Sequence, residues 1–329
     1  METRRFGNTG LKVSRICLGT MAFGRWIDED RSARVIDAAL DAGINFFDTA
    51  DIYGRGMDTG DHNQKGESEA ILGRLLKQRR NRIVLATKVR GRMGYGINDE
   101  GLSRHHIMEA VEASLRRLQT GHLDLYQCHS LDPETPLEET LRALDDLVRQ
   151  GKVRYIGASN FAAWQMAKAL GISERLGLQR FVSIQPQYSL LVRDIERELV
   201  PFCLSEGVGI IPYSPIARGL LTGKYHAGEA APAGTRGAAG EPRLLALMTK
   251  ENQKRVDAFR GLCKVWELPM AQVATAWVLA NPAVPSAIVG MSRPEQAADA
   301  AAAAELHLTA EQMKTLDELF SLDEVGYAE

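Results

Sequence analysis

Short apolar runs recur along the chain and alternate with longer stretches whose apolar positions fall three or four residues apart. The runs read as β-strands at 16–18, 45–47, 83–87, 123–128, 155–158, 183–185, 209–212 and 287–289. Between them, Ala33, Ile36, Ala39 and Leu40, then Val111, Leu115 and Leu118, then Thr140, Leu141, Leu144, Leu147 and Val148 each mark one apolar face, as amphipathic helices do. Gly151 follows the last of these as a helix stop. Alternation of β and α implies a parallel sheet, and eight repeats imply closure into a (β/α)8 TIM barrel of the α/β class. A hairpin precedes it, with strands at 4–6 and 12–13 around a turn at 7–10. No linker divides the chain, so residues 1–329 are expected to form one domain.

Three stretches interrupt the rhythm. Residues 54–66, 91–101 and 227–242 are long, polar or Gly-, Ala- and Pro-rich, and read as extended loops after the second, third and seventh strands. Loops of that length in a compact domain usually bind or cover something. The Ala-rich run 297–304 reads instead as ordinary helix.

Composition narrows the class of work. Charged residues make up 25% and hydrophobic ones 45%, with 40 Lys and Arg against 42 Asp and Glu. A net charge of -2 gives no electrostatic reason to expect nucleic acid or an anionic membrane, so a small-molecule substrate is the expected partner. The first ten residues lack the apolar core of a signal peptide, and no apolar run is long enough to span a bilayer, which places the chain in the cytoplasm. Cys17, Cys128, Cys203 and Cys263 are too scattered for a zinc site or a disulfide framework.

The candidate chemistry lies where strands end. Residues 46–54 read F-F-D-T-A-D-I-Y-G, so Asp48 leaves the second strand and Tyr53 opens the following loop. Alone, such an Asp is more often a helix cap and such a Tyr is packing. Lys88 ends V-L-A-T-K on the next strand, where a lysine is costly unless paired, and Asp48 is its natural partner. The cation beside the phenol is expected to lower the pKa of Tyr53 toward working pH, so that Tyr53 can protonate a developing alkoxide. His129 ends L-D-L-Y-Q-C-H on the fourth strand. A rim histidine often serves the backbone alone, but this one shares its rim with Asp48 and Lys88 and could orient a carbonyl oxygen.

With these residues in view, the chain resembles the aldo-keto reductase superfamily from Gly19 to about Gln296. The matching segments are F-D-T-A-D-I-Y-G, A-T-K, L-D-L-Y-Q-C-H, G-K-V-R-Y-I-G-A-S-N, Q-P-Q-Y-S, P-Y-S-P-I-A-R-G-L-L-T-G-K and V-G-M-S-R-P-E-Q, in that order. The resemblance implies reduction of an aldehyde or ketone, or oxidation of an alcohol, with NADP(H). It casts Tyr53 as general acid, Lys88 and Asp48 as its tuners, and His129 as positioning the substrate. Ser159, Asn160 and Gln185 are implied to hold the nicotinamide carboxamide, and Tyr213 to stack on its ring. Ser214, Pro215, Ile216, Gly219 and Lys224 are implied along the pyrophosphate, with Gly19, Thr20 and Met21 closing over the cofactor and Asp48 beside it. Gly290, Ser292, Arg293 and Gln296 match the segment for the adenosine 2′-phosphate, consistent with a helix N-terminus beside an Arg. No G-x-G-x-x-G follows a strand, so a Rossmann mode of binding is not expected. Where the family commonly carries Glu-Asn against the adenine, this chain has Asp299 and Ala300.

Two other readings are open. Lys88 could form a Schiff base with a carbonyl substrate, as in a barrel aldolase. Alternatively, some members of the superfamily are channel-associated subunits that bind cofactor and turn over slowly, although their His position is typically not His. The substrate itself would be read by residues 24–28, 54–66 and 91–101, with Trp26, Tyr95 and Tyr126 as a possible apolar wall.

Overall fold

The computed structural model describes residues 1–226, 230–232, 237–238 and 240–321. Strands β1 (Thr3–Arg5) and β2 (Lys12–Ser14) form an antiparallel hairpin. Eight more, β3 (Ile16–Gly19), β4 (Phe46–Asp48), β5 (Val84–Val89), β6 (Leu123–Cys128), β7 (Val153–Ser159), β8 (Ser183–Gln185), β9 (Gly209–Ile210) and β10 (Ala287–Gly290), run parallel in one curled sheet. Neighbours in the sheet are neighbours in sequence, and β10 pairs with β3. Between β9 and β10 the seam is made by a bridge from Tyr213 to Ile288 and by the Ile288 N–H donating to Pro212 O at 2.9 Å. The expected TIM barrel is what the chain forms.

The helices are α1 (Glu29–Asp41), α2 (Gly56–Thr59), α3 (Glu67–Leu76), α4 (Arg104–Leu118), α5 (Leu137–Arg149), α6 (Ala163–Leu176), α7 (Leu199–Glu206), α8 (Pro242–Leu247), α9 (Lys250–Val265), α10 (Met270–Ala280), α11 (Glu295–Glu305) and α12 (Ala310–Leu319). Side-chain caps start several of them: Asp28 accepts from the Arg31 N–H at 2.8 Å and Ser103 from the His106 N–H at 3.2 Å. The Ala-rich run is helical, as expected. Residues 54–66 are not a plain loop, however, for they hold α2 and a 3-10 turn at His62–Gln64. Gly60, at a φ of 76° that suits glycine, ends α2, and the Asp61 side chain accepts from the Asn63 N–H to start the turn. The expected loop at 227–242 lies partly outside the described residues, and its last residue opens α8.

Phe6, Val13, Cys17, Phe46, Val84, Ala86, Leu125, Ile211 and Ile288 form one buried cluster, in which the hairpin residues Phe6 and Val13 join side chains from the barrel strands. The far larger cluster lies outside, between strands and helices. The buried Arg15 guanidinium donates to the carbonyls of Leu279, Val284 and Pro285, tying the start of β3 to the segment that leads into β10. Among the described residues, no helix is long and apolar enough to cross a membrane.

One helix contact is tight enough to test. A Cβ on Gly73 of α3 would lie 2.1 Å from the Arg117 carbonyl oxygen at the end of α4. Alanine gains roughly 1 kcal/mol in helix propensity over glycine, but the obstacle is backbone, and overpacking of this kind typically costs about 1–3 kcal/mol. Gly73→Ala is therefore expected to lower stability in a denaturant titration. Unchanged stability would mean that α3 and α4 can separate without loss.

Candidate active site

Alternation along adjacent strands builds the floor of the site. Phe46 and Asp48, Ala86 and Lys88, Leu125 and Gln127, and Ser183 and Gln185 are two residues apart, so each pair faces the same side of its strand. The first of each pair is apolar or small and the second is polar. Asp48 lies within β4, one residue beyond the run read from the sequence, because it still pairs with Gly19 and Ala86 on either side. Its Oδ2 accepts from Lys88 Nζ at 2.5 Å, and its Oδ1 accepts from Gln127 Nε2 at 3.1 Å and Gln185 Nε2 at 3.0 Å. Lys88 Nζ also donates to Thr49 O at 2.8 Å and to the Tyr53 hydroxyl at 3.4 Å. The ion pair is fully buried, with Lys88 at 0% and Asp48 at 2% exposure, so each partner depends on the other to offset its desolvation.

Tyr53 and His129 stand above this floor. Their rings meet edge to face, with centroids 6.0 Å apart. His129 follows the last residue of β6, and its N–H donates to Val89 O at 2.8 Å. Burial, the largest influence, raises the Tyr53 phenol above its ordinary pKa, while the charge and hydrogen bond of Lys88 pull it down. The expectation that Lys88 brings the phenol toward neutral pH is corrected accordingly, because burial outweighs the ammonium. Burial also favours neutral Lys88, but Asp48 and Tyr53 outweigh it and hold the lysine above its ordinary value. His129 is pushed down to about 3 by burial, then by the charges of Lys88, Arg90 and Arg243. At neutral pH the site thus contains an un-ionised phenol, an ammonium and an uncharged imidazole around one open rim. Such a set can give a proton to an oxyanion and steady it with a second polar group.

The residues expected around a cofactor come together along the same rim. Ser159 Oγ donates to Gln185 O at 2.8 Å, and Asn160 Nδ2 donates to Ser159 Oγ at 3.0 Å and to His129 O at 2.9 Å. Tyr213 donates its hydroxyl to Asn160 Oδ1 at 3.0 Å, which fixes a half-exposed ring beside them. Gln185 spends its amide N–H groups on Asp48 and Gln127, leaving its oxygen side for a ligand. Pro215 is buried; Ser214, Ala217, Arg218 and Gly219 have φ of 60°, 46°, 58° and 98°. Side chains rarely adopt this conformation without a reason. A Cβ on Gly219 would lie 3.0 Å from Lys224 Nζ, so the bare backbone lets the ammonium rest on the turn. Gly19 and Gly290 pair across β3 and β10, and Thr20 is buried with its hydroxyl bonded to Asp48 O and Ser68, while Met21 is half-buried and Gly290 exposed. These features fit an extended, anionic dinucleotide.

The segment expected to meet a 2′-phosphate is organised around Gln296. Gln296 turns its Oε1 back to accept from the Ser292 and Arg293 N–H groups at 2.9 and 3.0 Å. It shapes the turn before α11, and those two donors are already spent. The Ser292 hydroxyl donates to the same Gln296 oxygen at 3.4 Å, and the exposed Arg293 side chain remains available to an anion. Ala300 is buried in the core and Asp299 is exposed on α11.

Four residues escaped the sequence reading. Gln127 was legible in principle, since it stands two before His129 on one strand. Asp51, fully buried and raised to about 8 first by desolvation, left no signal in a motif whose other acid drew attention. Arg90 and Arg243 influence His129 from elements that the sequence does not connect. Tyr126, considered for a pocket wall, is instead fully buried on the outward side of β6 with the helices.

The chain matches the model of the Aldo/keto reductase family over residues 15–320. It is 42% identical over 327 residues to an uncharacterized oxidoreductase of Bacillus subtilis, YrpG, covering 97% of this chain and 96% of that protein. It is 38% identical over 345 residues to versiconal hemiacetal acetate reductase of Aspergillus parasiticus, covering 97% and 96%. A probable voltage-gated potassium channel subunit beta of Arabidopsis thaliana is 35% identical over 303 residues, covering 90% and 89%.

Because His129 binds a proton only near pH 3 when folded, against 6.5 for a free imidazole, the unfolded chain takes up a proton between those values that the folded chain refuses. His129 therefore subtracts stability as pH falls from about 6.5 toward 3, and contributes no such loss above it. An NMR titration of its ring should be flat from about pH 8 to about pH 5. A midpoint near the free value would show that burial and the neighbouring cations leave it unperturbed.

Proposed function

Given that this chain belongs to the aldo/keto reductase family, we propose that it is an NADP(H)-dependent oxidoreductase interconverting an aldehyde or ketone with the corresponding alcohol in the cytosol. The observation that carries this reading is the Tyr53 hydroxyl held by the buried Lys88–Asp48 pair, with the His129 ring beside it.

Reduced nicotinamide, when bound, supplies the hydride to the carbonyl carbon. The carbonyl oxygen then gains a proton from Tyr53, so that one hydride and one proton make the alcohol. A phenol kept un-ionised by burial is the right form for that donation, and the Lys88 ammonium stabilises the phenolate left behind. His129, uncharged, can hydrogen-bond the oxygen without competing as an acid. Ser159, Asn160 and Gln185 would hold the carboxamide, Tyr213 would lie against the ring, and the turn from Ser214 to Gly219 with Lys224 would meet the pyrophosphate. Gly19, Thr20 and Met21 would flank the dinucleotide, and Gly290, Ser292 and Arg293 its 2′-phosphate, with Gln296 supporting their turn.

A Schiff-base role for Lys88 loses support, since such an amine must shed its proton and Asp48 and Tyr53 hold it on. Similarity to the channel subunit beta supports a second reading, in which the chain binds the same cofactor but turns over slowly. Turnover number separates the two.

Tyr53→Phe keeps the ring and removes the proton, so single-turnover reduction of a reactive aldehyde should slow by about 100-fold or more while NADPH binding holds. Near-normal chemistry in that variant would reassign the acid. Arg293→Ala should weaken NADPH by about 10- to 100-fold, the worth of a charge-assisted contact, and leave NADH nearly as it was. Equal losses for both cofactors in a fluorescence titration would make Arg293 structural.

A further inference from the structure

The proposed reduction uses Lys88, Tyr53 and His129 but leaves two cations at the same rim unexplained. Val89 pairs with Cys128 across β5 and β6, so Arg90 and His129 leave the sheet abreast. Arg90 is held there firmly. Its carbonyl accepts from the Gly101 N–H at 3.0 Å and its Nε donates to Leu131 O at 3.2 Å, in the loop that begins with His129. Its φ of 134° is a conformation that side chains avoid and that surrounding structure must enforce. The two terminal nitrogens of this half-buried guanidinium make no hydrogen bond or ion pair among the described residues.

Acids near the rim are already committed. Asp48 serves Lys88, and the Asp132 oxygens accept from Leu102, Glu134 and Thr135, so Asp132 acts on Arg90 by charge without a direct hydrogen bond to its terminal nitrogens. Arg243 adds a second cation. It sits between two anchors, for Glu241 accepts from the buried Arg218 at 2.9 Å and Leu244 is buried in the core. Arg243 itself is exposed, without a carboxylate partner among the described residues, and its charge reaches both His129 and Tyr213.

Building on the reductase reading, we propose that the physiological substrate is an aldehyde or ketone bearing a carboxylate, bound by the Arg90 fork with Arg243 as the second cation while its carbonyl lies between Tyr53 and His129. A planar guanidinium whose two terminal NH2 groups are free suits a carboxylate, and positive charge at a rim concentrates anions from solution. A neutral substrate would leave the terminal nitrogens of Arg90 and the side chain of Arg243 without a direct carboxylate partner among the described residues.

The test compares para-carboxybenzaldehyde with its methyl ester at saturating NADPH. The wild type should show a kcat/KM ratio favouring the carboxylate by about tenfold or more, and this ratio should shrink as ionic strength rises. Arg90→Met should bring the ratio close to unity, and Arg90→Lys should restore part of it. A wild-type ratio at or below unity, or an Arg90→Met ratio equal to the wild type's, overturns the proposal. If the wild type reduces neither aldehyde, the reductase reading itself fails and takes this one with it. Arg243→Met should lower the ratio without changing the NADPH dissociation constant. A loss of NADPH affinity with the ratio intact would assign Arg243 to the cofactor and overturn its part.

Discussion

The buried ion pair between Lys88 and Asp48 is the interaction on which the site depends. Two charges with almost no exposure are stable only if every strong donor and acceptor on them is used, since an unpaired buried charge costs roughly 3–5 kcal/mol. The barrel meets that demand from four strands at once. Asp48 comes from β4, Lys88 from β5, Gln127 from β6 and Gln185 from β8, and the last three each donate to the one Asp48 carboxylate. A shift of any of these strands by one residue would turn its polar side chain out of the lumen and leave a charge behind. Chemistry and strand register therefore constrain each other.

Apolar packing below and strain above complete the arrangement. The hairpin residues Phe6 and Val13 pack with Phe46, Ala86 and Leu125, residues that stand two positions before the polar floor or within the same buried cluster. At the opposite rim, Arg90, Asn160, Ser214, Ala217 and Arg218 all have positive φ. Among non-glycine residues in the described part of the chain, only Gln119 and Glu267 share that property, so unfavourable backbone collects beside the candidate site. Conformations that cost about 1–3 kcal/mol each persist where surrounding bonds over-determine them. The Tyr213 hydroxyl on Asn160 and the Arg218–Glu241 pair are bonds of that kind.

Electrostatics at the rim sort three titratable side chains into three states. Burial opposes charge on all of them, but only Lys88 has a carboxylate close enough to win it back. Tyr53 and His129 face cations instead. For the phenol this partly offsets burial, whereas for the imidazole both influences point the same way and drive it far below its ordinary range. Burial thus keeps the phenol protonated against the pull of Lys88, and burial and cations together leave the imidazole an uncharged hydrogen-bonding neighbour.

The linear sequence determined the barrel, because alternation of apolar runs with helical faces is a local property that burial on a parallel sheet enforces. It also drew attention to Asp48, Tyr53, Lys88 and His129, since each lies at or shortly after a short apolar run that reads as a strand. The helical turns within 54–66 were less legible, their caps being single side chains such as Asp61 set in a Gly-rich background. What only the tertiary structure decided were quantities that depend on distance between elements remote in sequence. The net direction of the Tyr53 shift needed the balance of burial against Lys88. The role of Gln296 needed the turn that folds its amide onto Ser292 and Arg293. Arg90 and Arg243 became neighbours of His129 only when β5, β6 and the start of α8 met at one rim. Periodicity reports which face a residue occupies, but Coulomb interaction and desolvation depend on separation and enclosure, and those exist only once the barrel closes.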